Sequence, residues 1–299
     1  MNDISSPRFS VILCNYNHDR YLKRSLPAIL DQLRDCDELL LVEDGSSDNS
    51  LEVMRQHAGD RSNVRILINE QNRGVVWSGN RALAASGGDY VAWWSADDLV
   101  LDGIFDAAAA VLKEFPGAGI VATETIVETL SNDAVVDTKT YRFGLEDRGY
   151  LSASDFVAEN KRRYLWLSSS GLFLRRDTLS AGGGWREELS WLTDWFSVYV
   201  TALRHGVTYV ATPYSVNRAR MESFGRRAAR EKSTRQPVVE RFFDLLSLSE
   251  YSDVRASLCR CPLVISHALG ERVLLDLLRR PRDWDLLLSV AFAITRARI

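Results

Sequence analysis

The sequence predicts an α/β protein with a mostly parallel sheet flanked by helices, followed by a helical carboxyl-terminal region. Two observations carry this. Before residue 90, an apolar run passes three times into a polar turn and then into a segment of helical apolar spacing. A fourth apolar run, Tyr90 to Trp94, then stops just short of two acids, Asp97 and Asp98. Strands that alternate with helices pair in parallel, because each crossover covers a sheet face. Such sheets take ligands in the crevice at the carboxyl ends of their strands.

Each element follows from its residues. Phe9 to Cys14 reads as the first strand, ending at Asn15, Tyr16, Asn17 and His18. The helix after it carries Tyr21, Leu22, Leu26, Ile29, Leu30 and Leu33 at helical spacing. A second strand, Glu38 to Val42, ends in Glu43, Asp44 and the turn Gly45 to Ser47, and Asp48 or Ser50 can cap a helix from Leu51 to His57. The third strand, Val64 to Ile68, leads through Asn69 to Gly74 into a helix from Val75 to Ala85, and Gly87 with Gly88 breaks the chain before Tyr90. Asn15 to Asn17, Glu43 with Asp44, Asn72 to Gly74, and Asp97 with Asp98 are therefore expected on one rim. Further on, Thr123 to Thr129 leans to β, Leu172 to Leu174 reads as a strand and Trp195 to Leu203 as a helix.

Two adjacent carboxylates at a strand exit suit a hard divalent cation with oxygen ligands. They equally suit a solvated turn or the start of a helix. Asp194, ahead of a helical segment, has the same two readings: a capping residue or a functional acid.

Several segments together decide between them. Ser10 to Asn17, Leu41 to Asp48, Asn72 to Gly74 with Asn80, Gly88 to Asp98, Ser169 to Arg176, Gly183 to Leu189 and Thr193 to Trp195 follow one another in an order that resembles the family 2 glycosyltransferases. The resemblance runs from about Phe9 to Phe224 and implies the Rossmann-like GT-A fold. It implies that a nucleotide-sugar donor lies against Cys14, Tyr16, Asp44, Arg73, Asn80, Asp97 and Arg218. Tyr16 would face the base, Asp44 would accept from a base N–H, and Cys14 would contribute mainly backbone. Asp97, with Asp98 beside it, would hold Mn²⁺ or Mg²⁺, although Ser95 stands where the family often has the first Asp of Asp-x-Asp. Asp194 would be the base of an inverting transfer, with Thr193 in place of the usual Glu. Ser170, Gly171, Trp191 and Trp195 would border the acceptor, and Trp185 joins the aromatic candidates for sugar stacking. Glu187 and Glu188 are the next acids that could serve as base.

Composition is compatible with this. A chain of 299 residues with 46% apolar content can bury a sizeable core, and a net charge of -3 argues against a general nucleic-acid binder. No run approaches the roughly 18 apolar residues of a membrane span. Met1 to Arg8 is polar and unlike a signal peptide, so a cytoplasmic protein, peripheral on the inner face of the membrane or free of it, is expected. Cys14, Cys36, Cys259 and Cys261 lack zinc spacing and read as reduced thiols.

The division expected is a catalytic domain over 1–224 and a helical region over 225–299. In the latter, Val238 to Leu248, Val254 to Leu258, Val264 to Leu278 and Trp284 to Ile294 read as helices, the last apolar nearly all round and thus either buried or a docking surface. Arg218 to Arg235 holds seven basic and two acidic residues, including Glu222, Arg226 and Arg227, and could meet the donor diphosphate and anionic headgroups or form a solvated face. Partners expected are a nucleotide sugar, a glycan or lipid-linked acceptor, and peripheral membrane contact or a homodimer through these helices.

Other readings are weaker. Leu40 to Asp44 resembles the acidic strand end of a phospho-receiver module, but that strand would open such a domain and here another precedes it. Gly117 to Ala122 fits a dinucleotide fingerprint only on paper, since no strand leads into it. An inactive sugar- or nucleotide-binding scaffold would have had no need to keep Asp44, Asp97 and Asp194 together.

Overall fold

The computed structural model describes residues 6–220, 228–270 and 272–297, with side chains as far as residue 293. The elements open with β1 (Phe9–Asn15), α1 (Asp19–Leu30), β2 (Glu38–Glu43), α2 (Ser50–Ala58), β3 (Val64–Ile68), α3 (Val75–Ala85) and β4 (Tyr90–Ser95). These coincide with the strand and helix pattern expected to within two or three residues; α1 stops at Leu30, leaving Leu33 beyond its end. Then come β5 (Leu99–Val100), α4 (Ile104–Glu114), β6 (Ile120–Ser131), β7 (Ala134–Tyr141), β8 (Arg148–Leu151), α5 (Ala153–Arg162), β9 (Leu172–Arg175), α6 (Arg176–Ala181), α7 (Thr193–His205) and β10 (Val207–Arg220).

The strands form one sheet in the order β3-β2-β1-β4-β9-β6-β10-β5, with β7 beside β6 and β8 beside β10. Along that path β3, β2, β1, β4, β6 and β10 share one direction and β9 and β5 oppose it. β1 is central, with Cys14 level with Val42 on one side and Ser95 on the other. That register brings the ends of β1, β2 and β4 to one edge, the expected rim.

Alternate residues of the strands fill two cores, as a pleated sheet covered on both faces requires. Val11, Leu13, Leu39, Leu41 and Trp94 pack with α1, α2 and α4. Ile12, Leu40, Val42 and Val91 face the other way, into a core shared with Trp185, Phe196 and Tyr199.

The second core continues into the tail, whose helices are α8 (Lys232–Leu246), α9 (Ser252–Arg260), α10 (Leu263–Leu269), α11 (Val273–Leu278) and α12 (Trp284–Ala297). Phe242, Phe243, Leu246, Val254, Ile265, Leu277 and Leu286 belong to the same apolar cluster as Leu189 and Phe196. The single helix expected over Val264 to Leu278 is instead two, because Gly270 adopts a left-handed φ of 70°, which ends a helix. α12 is neither all buried nor all exposed. Leu286 and Val290 are fully buried, while Trp284, Leu288 and Phe292, on the opposite face, are 55%, 71% and 65% exposed. Among the described residues, no helix is long and apolar enough to cross a membrane.

Three residues of the basic stretch are held in ion pairs, while Arg230 and Lys232 are exposed. Arg218 pairs with Glu128, Arg220 with Asp97, and buried Arg235 with Asp276. Glu222, Phe224, Arg226 and Arg227 lie outside the described residues, as does the expected boundary at 224. All four cysteines are free thiols.

Candidate active site at the strand exits

The rim is built first by side chains that bind backbone. Glu43, buried at the end of β2, accepts from the N–H groups of Gly45 and Ser46 at 3.2 and 2.7 Å and so folds the turn after the strand. Gly45 has φ +73°, and an added Cβ would stand 2.6 Å from the Gln71 backbone, so only glycine allows the two loops to touch. Asp44 then holds the second loop. Its Oδ1 accepts from Asn69 Nδ2 at 2.6 Å and from Arg73 N at 2.9 Å, and its Oδ2 from Gly74 N at 2.9 Å. A carboxylate offers about four acceptor positions, so three protein donors leave room for one more N–H. Tyr16, just past the end of β1, is 45% exposed, and its neighbours Asn15 and Asn17 hydrogen-bond Ser46 of the turn after β2. Cys14 is partly buried, and burial pushes its thiol up to about 12, so it stays neutral.

Of the expected donor contacts, Asn80 is committed elsewhere, while Arg73 stays exposed. Asn80 exchanges both its amide groups with the main chain of Trp185, at 2.7 and 2.9 Å, and thereby positions the segment before α7. Arg73 lies with its guanidinium 4.7 Å from the Trp77 ring centre. Trp185 is fully buried against Trp93, with ring centres 4.3 Å apart, and cannot stack on a sugar.

The acidic pair at the exit of β4 divides. Asp98 points inward and is buried; it accepts from the Ser170 hydroxyl, from Arg218 N at 2.9 Å and from Asn217 Nδ2 at 3.2 Å. Burial raises its pKa and the neighbouring Asp97 charge adds to this, while those three donors pull it back. Asp98 is thus a knot between β4, the 3-10 turn Ser169–Gly171 and β10. Asp97 faces the rim, where Oδ2 accepts from Arg220 Nη1 at 2.8 Å.

This bears on a metal. Among the described residues, no group of three or more His, Cys, Asp or Glu side chains is placed to hold one. Asp98 is buried, with its oxygens turned to Ser170, Asn217 and Arg218 N and away from the rim that Asp97 faces, so a chelate by Asp97 and Asp98 together does not fit. A cation on Asp97 that takes its remaining ligands from phosphate oxygens and water does fit the donor set. The metal role read for Asp98 is accordingly corrected to a structural one.

Ser170 changes role with it. Its hydroxyl serves Asp98 rather than an acceptor, and Gly171 is packed so closely that a Cβ would meet Thr123 Oγ1 at 2.6 Å and Ser215 Oγ at 2.7 Å. The preceding Ser169 hydroxyl faces Asp194. Consecutive serines thus serve two acids far apart in sequence, Ser170 as a donor to Asp98 and Ser169 from beside Asp194.

Asp194 lies in the first turn of α7, partly buried, with Oδ1 accepting from Trp195 N at 2.7 Å. Burial raises its pKa, and the hydrogen bonds from Trp195 N and Ser169 oppose that rise. Trp191 and Trp195 flank it, and both indole N–H groups are buried without an acceptor. Trp195 stacks on Tyr199 at 4.6 Å. Just before them Ser190 adopts φ 44° and ψ -116°, a conformation that costs a non-glycine residue energy and is characteristic of functional loops. Glu188 is drawn away by Arg241 at 3.6 Å, which weakens it as an alternative base.

Sequence reading missed Asn217, Glu128 and Asp133 as parts of the site, and placed Arg220 in the basic stretch near the donor diphosphate without its pairing to Asp97. Each meets its partner across 87 residues or more, so no local pattern marks these contacts. The strain at Ser190 leaves no trace in residue type.

A mostly parallel sheet in this strand order, covered by helices on both faces, defines an α/β fold of the GT-A type. The chain belongs to glycosyl transferase family 2, whose model matches residues 10–164. It is 32% identical over 124 residues to EpsE of Bacillus subtilis strain 168, named a glycosyltransferase, covering 41% of this chain and 45% of EpsE. It is 30% identical over 92 residues to TuaG of the same organism, named for teichuronic acid biosynthesis, covering 31% of this chain and 36% of TuaG. The chain thus spans about half or less of the length of the curated relatives it matches. The fold is shared with TarS 1-349 of S. aureus, crystallised with UDP, at a TM-score of 0.59 and 18% identity over 97% of this chain and 91% of that one. A second TarS structure contains UDP-GlcNAc, with a TM-score of 0.59 and 16% identity over the same shares of both chains.

Proposed function

We propose that the protein is an inverting glycosyltransferase that moves a sugar from a nucleotide-sugar donor, UDP-linked, to a hydroxyl of a glycan or lipid-linked acceptor in bacterial surface polysaccharide synthesis. The observation that supports this best is that Asp97, at the exit of β4, and Asp194, at the start of α7, flank the Ser169–Gly171 turn, in which Ser170 donates to Asp98 and Ser169 stands beside Asp194, in a chain of this family. The UDP and UDP-GlcNAc of the TarS structures and the names of EpsE and TuaG support the donor and the setting.

In this reading Tyr16 lies against the base and the fourth acceptor position of Asp44 takes a base N–H. The acceptor hydroxyl sits between Asp194 and the anomeric carbon, with the Trp191 and Trp195 indoles beside it. Asp194 takes the hydroxyl proton as the oxygen attacks, the bond from the anomeric carbon to the phosphate oxygen breaks, and its electron pair leaves with the nucleoside diphosphate. Attack opposite the leaving group inverts the anomeric centre. A divalent cation, Mn²⁺ or Mg²⁺, on Asp97 would offset the charge that gathers on that diphosphate. Arg218 reaches the donor only by leaving Glu128, 3.2 Å away, so its contribution comes with a rearrangement.

The first test is a thermal-shift screen of nucleotide sugars with and without Mn²⁺, since a ligand of the native state alone raises its apparent stability. A UDP-sugar with Mn²⁺ should give the largest shift. Asp97→Asn should weaken Mn²⁺-dependent UDP binding about 10-fold or more, on the order of 1.4 kcal/mol, with the melting temperature of the unliganded protein little changed. UDP affinity indifferent to EDTA would remove the metal from the mechanism.

We also propose the division into a catalytic unit over 1–224 and a helical unit over 225–299 that places the enzyme on the inner face of the membrane. Trp284, Leu288 and Phe292 form the exposed apolar stripe of α12, and Arg272 and Arg279, at the two ends of α11, are exposed as well. Such a surface binds anionic bilayers by apolar burial and charge together. Leu288→Asp should abolish sedimentation with anionic liposomes and leave donor-induced thermal shifts intact. Sedimentation unchanged by this substitution would exclude α12 as the contact, and a concentration-dependent dimer lost in the same variant would point to self-association instead.

A further inference from the structure

The cation position beside Asp97 already holds a positive charge. Arg220, at the end of β10, donates from Nη1 to Asp97 Oδ2 at 2.8 Å. Its guanidinium lies 4.4 Å from the centre of the Tyr21 ring, and its Nε is 3.4 Å from Asp133 Oδ1. Asp133 is itself fixed, in a hairpin turn with φ 62° and in an ion pair with Arg20 at 2.9 Å. Two acids and an aromatic face thus grip one side chain that is only 17% exposed. Its Nη2 is buried and has no partner. Ion pairs of mobile surface side chains contribute little, but one held on three sides and mostly shielded from water is a real competitor for its carboxylate.

Asp98 offers no alternative, since it is buried and its oxygens face Ser170, Asn217 and Arg218 N. A metal arriving alone at Asp97 would meet one free oxygen and a guanidinium a few ångströms away. It would have to break the ion pair, or bear the repulsion of a second cation, for a single protein ligand. A nucleoside diphosphate changes both sides of that exchange. Its oxygens complete the metal's ligand set and give the displaced guanidinium, including the unpaired Nη2, new anionic acceptors.

We infer that Arg220 is the resident occupant of the cation position, displaced from Asp97 by the metal only when a nucleoside diphosphate is present, so that it couples metal binding to donor binding. This rests on the reading of Asp97 as metal ligand. Only ion pairs and coordination bonds are exchanged, and no covalent bond changes. By linkage, the factor by which UDP tightens Mn²⁺ binding equals the factor by which Mn²⁺ tightens UDP binding.

The test is the free Mn²⁺ signal by electron paramagnetic resonance, titrated against the full chain without and with UDP. Arg220→Gln should bind Mn²⁺ alone about 10-fold or more tighter than the unaltered chain, and its gain from added UDP should shrink by a similar factor. Adding Asp97→Asn should cancel that gain. Tyr21→Leu, which removes the aromatic support but keeps every charge, should move Mn²⁺ affinity in the same direction by a smaller factor, and decides the matter should Arg220→Gln fail to fold. Equal Mn²⁺ affinity of the unaltered chain and both variants, with UDP still tightening Mn²⁺ through Asp97, would overturn the role of Arg220 and leave the metal reading standing. Absence of Mn²⁺ binding by every chain even with UDP would overturn both.

Discussion

Asp194→Asn is expected to cut glycosyl transfer about 100-fold or more while leaving donor affinity within a few-fold of the original, the scale of a lost general base. Asn keeps the size of the side chain and can still accept from Trp195 N and face Ser169, so the head of α7 should hold its shape. What it loses is the capacity to take a proton. The same substitution should raise thermal stability at neutral pH. Burial raises the folded-state pKa of Asp194 above that of the unfolded chain, so the folded state binds the proton more firmly. Stability then falls as pH rises from the ordinary carboxylate range through the raised pKa, and above it the buried charge is a constant cost. Asn carries no such charge. Turnover of the unaltered enzyme should rise with pH across that raised pKa, because only the ionised form is a base. Transfer assays over a pH series with melting curves for both proteins check all three. A variant that is slow but less stable would mean that Asp194 serves structure, and turnover within a few-fold of the original would move the base elsewhere.

Asp98→Ala should destabilise the fold by about 2–3 kcal/mol, the range for removing a buried charged acceptor and stranding its donors. Arg218 N at 2.9 Å has no replacement acceptor in view, whereas Ser170 Oγ and Asn217 Nδ2, 3.3 Å apart, can satisfy each other in part. Relief of the cost of burying the Asp98 charge offsets some of the loss, which keeps the estimate below the sum of three charged hydrogen bonds. Because this carboxylate joins β4, the Ser169–Gly171 turn and β10, donor binding and transfer should both suffer. Urea denaturation of the variant measures the first effect. A loss below about 0.5 kcal/mol, typical of an ordinary surface change, would return Asp98 to the status of an available metal ligand.

The part of the molecule that its sequence determined is the part governed by local periodicity. Val64 to Ile68 and Val75 to Ala85 coincide residue for residue with β3 and α3, because a strand exposes alternation and a helix a stripe, and each is written in neighbours a few residues apart. The same locality made the strand exits legible: Glu43, Asp44, Asp97 and Asp98 follow directly on apolar runs. Their order along the chain was sufficient for the family and, with it, for Asp194. The division of labour among these acids was decided only in three dimensions. Asp97 and Asp98 are adjacent and identical in type, yet one faces Arg220 and the other is locked by Ser170, Asn217 and Arg218 N. Both lie in the turn between β4 and β5, and which of them is buried depends on Asn217 and Arg218 of β10, more than a hundred residues away. Asn80 and Trp185 went astray for the same reason, since an amide or an indole does not announce whether its partner will be a ligand or a distant main chain. The tail shows it for packing: α12 is apolar on both faces in sequence, and only the core beneath Leu286 and Val290 determines that Trp284, Leu288 and Phe292 are the face left outside.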